Sequence, residues 1–513
     1  MKLRVKLRLA KIFFSTLIVF FSQLFFLPGT SGAEEISRQS RELIFKQQDA
    51  TINVHYDLED GTYLFLGGVA GEGASQYNRR FPLLSTIDKS GNILSGTVFT
   101  QGDALKLSEG RTISPVLGFY KAFKLGDGFL SCVSMDWNNG EQASHNPQVD
   151  FVAKFEGNYQ PQAFFEFSEI ESNYPVAILP FAEMEDSIAV IATVKAPDVK
   201  RKPGRMLLEA PRPRFVVTLD KKLEAMSSIE LPAQCIGSAI YNPAAQQFVT
   251  LPRHEFKDRN ICRFSKDGKT ANASTLIKEF TLNDMFNTAN GDFILTGQLK
   301  PKAKDGYLNE QTYLMHFDKE LNFISGVAFP EMINNLDNSL FVSPQGEYFL
   351  IAMLRDSLSL LSSKTAITAI IKITPELKIS WAKVLEGTGA AGVRSINFRN
   401  DGSISVLAPL EIYHAPKLEH MFGEIMQSVN AIPALNSFAL LELDRDGKEM
   451  GSFTKEYSPK TVPVPELERE IFEKKGQSMP ISGRSLHLTK TEVPLKKTSV
   501  TLEYKTLGRP WDK

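Results

Sequence analysis

Asn290-Gly-Asp-Phe-Ile-Leu-Thr-Gly297, followed after an interval by Tyr313-Leu-Met-His-Phe-Asp-Lys-Glu-Leu-Asn322, is the stretch that decides the fold. It reads as a turn, an apolar strand, a connection, a second apolar strand and a tight turn leading into a third. The Asp-x-x-Leu step suits a short hairpin, because Asp bonds its own backbone there. The strands are apolar on both faces more than they alternate, so they expect burial on both sides. One such unit has nothing to bury itself against.

Working outward, the same pattern recurs. It is clear in Asp60-Gly-Thr-Tyr-Leu-Phe-Leu-Gly-Gly68 with Pro82 to Leu94, and in Gly126 to Ser134 with Val149 to Phe155. Further copies are Asp186 to Ala192 with Arg214 to Leu223, and Gln345 to Ala352 with Ala369 to Ile379. Asn400 to Leu407 pairs with Phe438 to Gly447, and the weakest copy is Gln247 to Thr250 with Ile261 to Gly268. The apolar residue before each tight turn stands at 87, 155, 219, 264, 317, 373 and 443, giving gaps of 68, 64, 45, 53, 56 and 70. The shortest gap matches a bare four-stranded propeller blade of roughly 40–50 residues, and the longer ones add insertions. The expected fold is all-β: a seven-bladed β-propeller over 34–455, with six or eight blades as alternatives.

Asp318-Lys-Glu-Leu-Asn-Phe-Ile324 and Ile373-Thr-Pro-Glu-Leu-Lys-Ile-Ser-Trp381 resemble the repeats of secreted bacterial propellers of the PQQ-like and WD40-like kind. The resemblance covers roughly residues 50–455 and implies a fold, not an activity. The chain lacks the Gly-His and Trp-Asp signatures of WD40 repeats. Of the regular tryptophans of quinoprotein dehydrogenases it keeps Trp381 alone. No cofactor is expected.

Thr51 to Tyr56 reads as a strand able to complete the seventh blade. Beyond 455 the pattern changes. Pro459, Pro463 and Pro465 break structure, Glu466 to Lys475 reads as a charged helix, and Val500 to Tyr504 as one more strand. Residues 456–513 are expected to be an appendage.

Residues 1–33 read as a signal peptide. Lys2, Arg4, Lys6, Arg8 and Lys11 precede the uncharged run Ile12 to Leu27, and Ser31-Gly-Ala33 offers cleavage between Ala33 and Glu34. The run is shorter than the roughly 20 residues that span a bilayer. The chain has 58 cationic and 59 anionic side chains, so cleavage leaves 53 and 59, a net charge of −6. Nucleic-acid binding is not expected of such a balance. A periplasmic or extracellular location permits disulfides. Among Cys132, Cys235 and Cys262, a Cys235–Cys262 pair closes the shorter loop; the alternative is three small buried side chains.

Most copies place their long connection between the first and second strands of the repeat, and equivalent connections share one face. Loops on a rigid scaffold carry binding. Lys195, Lys200, Arg201, Lys202, Arg205, Arg212 and Arg214 cluster in one of them, a match for an acidic protein, polysaccharide or lipid headgroup, or a solvated loop. Tyr413 to Val429 carries Leu418, Met421, Phe422, Ile425 and Met426 at helical spacing, a short amphipathic helix. Trp137-Asn-Asn-Gly140 reads as a surface turn or a stacking platform.

No catalytic, cofactor-binding or metal-ligating residue is assigned. His414 and His420 lack the spacing of a two-histidine zinc helix. Asp444-Arg-Asp-Gly447 is a hairpin turn and His316 a core residue by the same reading. The expected function is non-catalytic: an exported binding or scaffold protein that holds a macromolecular partner on its decorated face. The alternative is a hydrolase or lyase acting on a saccharide or ester at the central channel.

Overall fold

The structure, a computed structural model, describes residues 38–507 apart from 46–49, 59, 71–79, 101–117, 126–127, 136–148, 156–159, 185–186, 195–212, 233–234, 236, 253–259, 268, 300–310, 334–338, 355–366, 387–391, 411–436, 465–469 and 502–503. Among these residues every regular element of three or more residues is a strand.

The strands follow the sequence pattern, with one more strand ahead of each repeat than the pattern suggested. After β1 (Arg41–Phe45), the first unit is β2 (Ala50–Asp57), β3 (Tyr63–Ala70), β4 (Arg80–Ile87) and β5 (Ile93–Thr100). The second is β6 (Phe119–Leu125), β7 (Gly128–Met135), β8 (Val149–Phe155) and β9 (Pro161–Glu169). The third is β10 (Pro175–Glu183), β11 (Ser187–Val194), β12 (Arg214–Asp220) and β13 (Ala225–Leu231). The fourth is β14 (Gly237–Asn242), β15 (Gln247–Pro252), β16 (Asn260–Ser265) and β17 (Ala271–Leu276). The fifth is β18 (Phe280–Asn287), β19 (Phe293–Leu299), β20 (Gln311–Phe317) and β21 (Phe323–Phe329). In the sixth the leading strand is split into β22 (Met332–Ile333) and β23 (Leu340–Val342), ahead of β24 (Tyr348–Leu354), β25 (Ile367–Ile373) and β26 (Ile379–Glu386). The seventh has β27 (Ser395–Phe398), β28 (Ile404–Pro409) and β29 (Ser437–Leu443). The tail supplies β30 (Thr454–Glu456), β31 (Val462–Pro463), β32 (Phe472–Ser478), β33 (Leu488–Glu492), β34 (Lys496–Ser499) and β35 (Tyr504–Leu507).

Each unit is an antiparallel meander. The second and third share one sheet, because Pro175 and Val176 of β10 pair with Ser168 and Phe167 of β9. The seventh unit corrects the sequence reading. Its fourth strand is β1, paired to β29 from Arg41↔Leu440 to Ile44↔Ser437. Thr51 to Tyr56 instead lies in β2 and opens the first unit. A tight turn at 58–62 joins β2 to β3, so the local hairpin takes this strand and the distant sheet does not.

The expected charged helix at 466–475 is also corrected. Phe472 to Lys475 lie in β32, which pairs with β17. Residues 454–507 are not a separate appendage either, since their strands extend the sheets of the repeat units. An open sheet edge offers backbone donors and acceptors that a solvated helix does not. The helix expected at 413–429 lies outside the described residues.

Packing explains why strands with two apolar faces are stable. Among the described residues the buried side chains form seven clusters, each shared by two consecutive units. The cluster of Leu43, Ile52, Tyr63, Phe65, Leu407 and Leu440 joins the seventh unit to the first. Burying each large side chain contributes about 1.5–3 kcal/mol. The strands approach closely enough to restrict some positions to glycine. A Cβ on Gly67 would stand 1.8 Å from the Thr51 carbonyl oxygen, opposite the bulge between Ile52 and Val54.

Candidate functional site

The order of strands in each meander makes its two ends unlike. First-to-second connections are tight, at 58–62, 243–246, 288–292, 343–347 and 399–403. So are third-to-fourth connections, at 88–92, 221–224, 266–270, 318–322 and 374–378, and the turn at 444–448 that follows the third strand of the seventh unit. Second-to-third connections open at the opposite end, at 71–79, 136–148, 195–213, 253–259, 300–310, 355–366 and 410–436. The long intervals therefore lie between the second and third strands, because a leading strand precedes each repeat.

Neighbouring units are tied turn to turn at the tight end. Arg263 of β16 donates from Nη1 to the Lys319 carbonyl at 3.1 Å. Lys372 of β25 donates to the Arg445 carbonyl at 3.2 Å, which Trp381 Nε1 also reaches at 3.2 Å. Arg41 of β1 donates to the Lys89 carbonyl at 2.5 Å. Asn242 donates to the Gly291 carbonyl at 2.7 Å, and Asn287 to the Tyr241 carbonyl at 2.6 Å. A repeated cation-to-carbonyl latch thus joins the third strand of a unit to the following hairpin, with β1 continuing the series from the seventh unit to the first.

The third strands share one more feature. The residue before their last apolar side chain is polar or charged in every unit: Thr86, Lys154, Thr218, Arg263, His316, Lys372 and Glu442. His316 Nε2 lies 3.1 Å from Asp292, and Lys372 Nζ 3.0 Å from Glu347, each partner standing in the first turn of the same unit. In the seventh unit the signs are exchanged, and Glu442 takes Arg399.

That exchange builds the most polar buried cluster described. Glu442 accepts from Arg399 Nη2 at 2.6 Å and from the Tyr63 hydroxyl at 2.5 Å, while Arg399 Nε donates to Asp57. His55 is 1% exposed. Its Nδ1 is 2.5 Å from Ser395 Oγ and its Nε2 2.9 Å from Ser405 Oγ. Asn397 donates to the His55 carbonyl at 2.8 Å. Burial and then the Arg399 charge push the His55 pKa down to about 3. Burial and then Glu442 push the Tyr63 hydroxyl well above its ordinary range. Burial raises the Glu442 carboxyl, with Arg399 and Tyr63 pulling it back. A neutral imidazole with both nitrogens on hydroxyls, closed from solvent, joins β2 to β27 and β28. These contacts hold the seam between the first and seventh units together.

Of the residues singled out in the sequence, Lys200, Arg201, Lys202, Arg205, Arg212, Trp137, Phe422, Ala33 and Glu34 lie outside the described residues. Arg214 opens β12, half-buried, opposite Thr193 and Leu231. A disulfide joins Cys235 to Cys262. His316 is not a fully buried core residue: its side chain is 20% exposed and faces Asp292. The Asp444–Gly447 turn has the hairpin geometry read from its sequence, with Gly447 at φ 79°. The seam around Glu442 was not recognised from sequence. Its signal was a lone carboxylate in Phe438-Ala-Leu-Leu-Glu-Leu443. Among the described residues no three His, Cys, Asp or Glu side chains are placed to hold a metal ion. Nor is any helix there long and apolar enough to cross a membrane.

No protein-family model matches the chain, and no curated protein matches it. Among solved structures it is similar to a crystal structure of a eukaryotic initiation factor, at 12% identity and TM-score 0.32, covering 83% of this chain and 98% of that one. It is also similar to the Kuenenia stuttgartiensis hydrazine synthase, at 10% identity and TM-score 0.26, covering 75% and 92%. A Bacteroides caccae protein of unknown function matches at 9% identity and TM-score 0.20, covering 49% and 95%. At these values no residue role passes from them to this chain.

Proposed function

We propose that the chain is an exported, non-catalytic binding protein, built as a seven-bladed β-propeller that holds a macromolecular partner on one end of the disc. The observation that carries this reading is the contrast between the two ends. Tight turns latched to one another occupy one end, and the long connections leave from the other. A rigid set of sheets presenting variable loops on one side is an arrangement suited to recognition. The seven shared clusters, one of them between the seventh unit and the first, support a closed ring. The basic and then apolar N-terminal segment supports export.

The partner surface that fits is acidic, because 195–213 concentrates Lys and Arg in a chain otherwise near neutrality. The test is crosslinking of the tagged protein in its own cell envelope, followed by identification of what is captured. The expected result is a reproducible partner crosslinked to 193–213 or 413–436. Replacing Lys200 and Arg201 by Glu should weaken capture about ten-fold or more while the melting temperature stays within about 2 °C. Unchanged capture removes the basic loop from the reading. Solution scattering of the full chain tests the ring separately, by the presence or absence of a flat disc.

A further inference from the structure

The tail takes an unusual route. Among the described residues β30 pairs with β26 of the sixth unit, β31 with β21 of the fifth and β32 with β17 of the fourth. It then passes the third unit, where Leu486 N donates to Ser228 Oγ at 2.7 Å and Ser482 Oγ to Glu230 at 2.5 Å. Next β33 pairs with β9 of the second unit, β34 with β5 of the first and β35 with β1 in the seventh. The units are visited in the reverse of their chain order, each on its outer strand.

Side chains follow the same route. Phe453 enters the cluster between the sixth and seventh units, and Tyr457 packs on that between the fifth and sixth. Val464 and Phe472 enter the cluster between the fourth and fifth, and Met479 and Ile481 pack on that between the third and fourth. Leu486, Val493 and Val500 serve the remaining three. Every junction between consecutive units receives at least one apolar side chain from the tail. The tail strands are otherwise largely polar and exposed: in β32 only Phe472 is buried, and β34 is Lys-Lys-Thr-Ser.

We infer that residues 453–507 are a belt that docks last, onto an assembled ring, and holds it shut. Its anchors have no binding site until two consecutive sheets have packed, so the belt reads the completed state of each junction. Its charged strands also cover outer edges that would otherwise be open to strand addition from other chains. This inference rests on the ring reading and is independent of the binding reading.

Interactions made after the folding transition state slow unfolding and leave refolding unchanged. Three full-length variants, Val464→Ala, Leu486→Ala and Val493→Ala, test the belt, because these side chains are 3%, 3% and 8% exposed. Each should unfold about ten-fold faster and refold at the unaltered rate. Leu314→Ala in β20 is the contrasting variant, and should slow refolding. A protease site placed at 459–461 and cut in the folded protein supplies a second measurement. The released piece should stay bound on native gel filtration, and the nicked protein should unfold faster. Slower refolding in the tail variants, unchanged unfolding rates, or a piece that separates with no effect on unfolding would each overturn the belt. A scattering profile that is not a disc overturns the ring instead.

Discussion

His55 is a histidine that folding keeps neutral. Its two ring nitrogens meet Ser395 and Ser405, and burial with Arg399 nearby pushes its pKa from 6.5 to about 3. In the unfolded chain it takes up a proton near its ordinary value. Between these two values the unfolded state binds the extra proton, so acid favours unfolding and stability rises with pH. The loss begins as pH falls through about 6.5 and continues towards about 3, at up to about 1.4 kcal/mol per unit. Glu442 has the opposite sign, because its folded pKa is raised by burial and its contribution is lost as pH rises through that folded pKa. Unfolding free energies of the wild type and His55→Asn at pH 7, 6 and 5 separate the two. The expected outcome is a smaller loss on acidification in His55→Asn than in the wild type. Parallel curves would mean that folding does not lower the His55 pKa.

The turn that follows a unit's third strand is the element most fully read from sequence. Asp88, Asp220, Asp318 and Asp444 each accept a backbone N–H within the turn through Oδ1. The fourth residue of the turn stands at positive φ whether it is Gly91 at 89° and Gly447 at 79°, or Leu223 at 64°, Leu321 at 66° and Leu377 at 60°. A leucine there costs about 1–2 kcal/mol of backbone strain. Burial offsets it, because Leu321 is 0% exposed within the cluster between the fourth and fifth units. The two terms separate by substitution. Leu321→Ala loses the packing and keeps the strain, a cost of about 2–5 kcal/mol. Leu321→Gly loses the packing and relieves the strain, so it should be about 1 kcal/mol less destabilising than the alanine variant in denaturant unfolding. The reverse order would show that the left-handed backbone is not strained for leucine here.

At the scale of the molecule, one junction differs from the others. Where the seventh unit meets the first, Arg399 lies between Asp57 and Glu442, with Tyr63 on the second carboxyl oxygen. These residues lie far apart in the chain, so this junction forms only when its ends meet. Arg399→Met leaves two carboxylates facing each other without their cation, and should cost about 3–5 kcal/mol. Hydrogen exchange should report where the opening occurs. Amides of β1, β2 and β29 should exchange faster than in the wild type, while those of β18, β19 and β20 change little. Uniform acceleration would mean that this junction holds no special place in the assembly.

The sequence by itself determined the second and third strands of each unit and the tight turns that follow them. These depend on contacts a few residues apart: apolar runs, an Asp that bonds its own turn, a residue that tolerates positive φ. It also carried the polar or charged position ahead of each tight turn, though not its partners. Which strand completes the seventh unit was decided only by tertiary structure, because Arg41–Phe45 and Ala50–Asp57 are both strand-like and differ in what lies beside them. The same holds for the tail. Glu466 to Lys475 has the composition of a solvated helix, yet Phe472 to Lys475 are extended because β17 offers an open edge and a junction that accepts Phe472. Edges and junctions belong to the assembled sheets, so no local pattern in the tail could announce them.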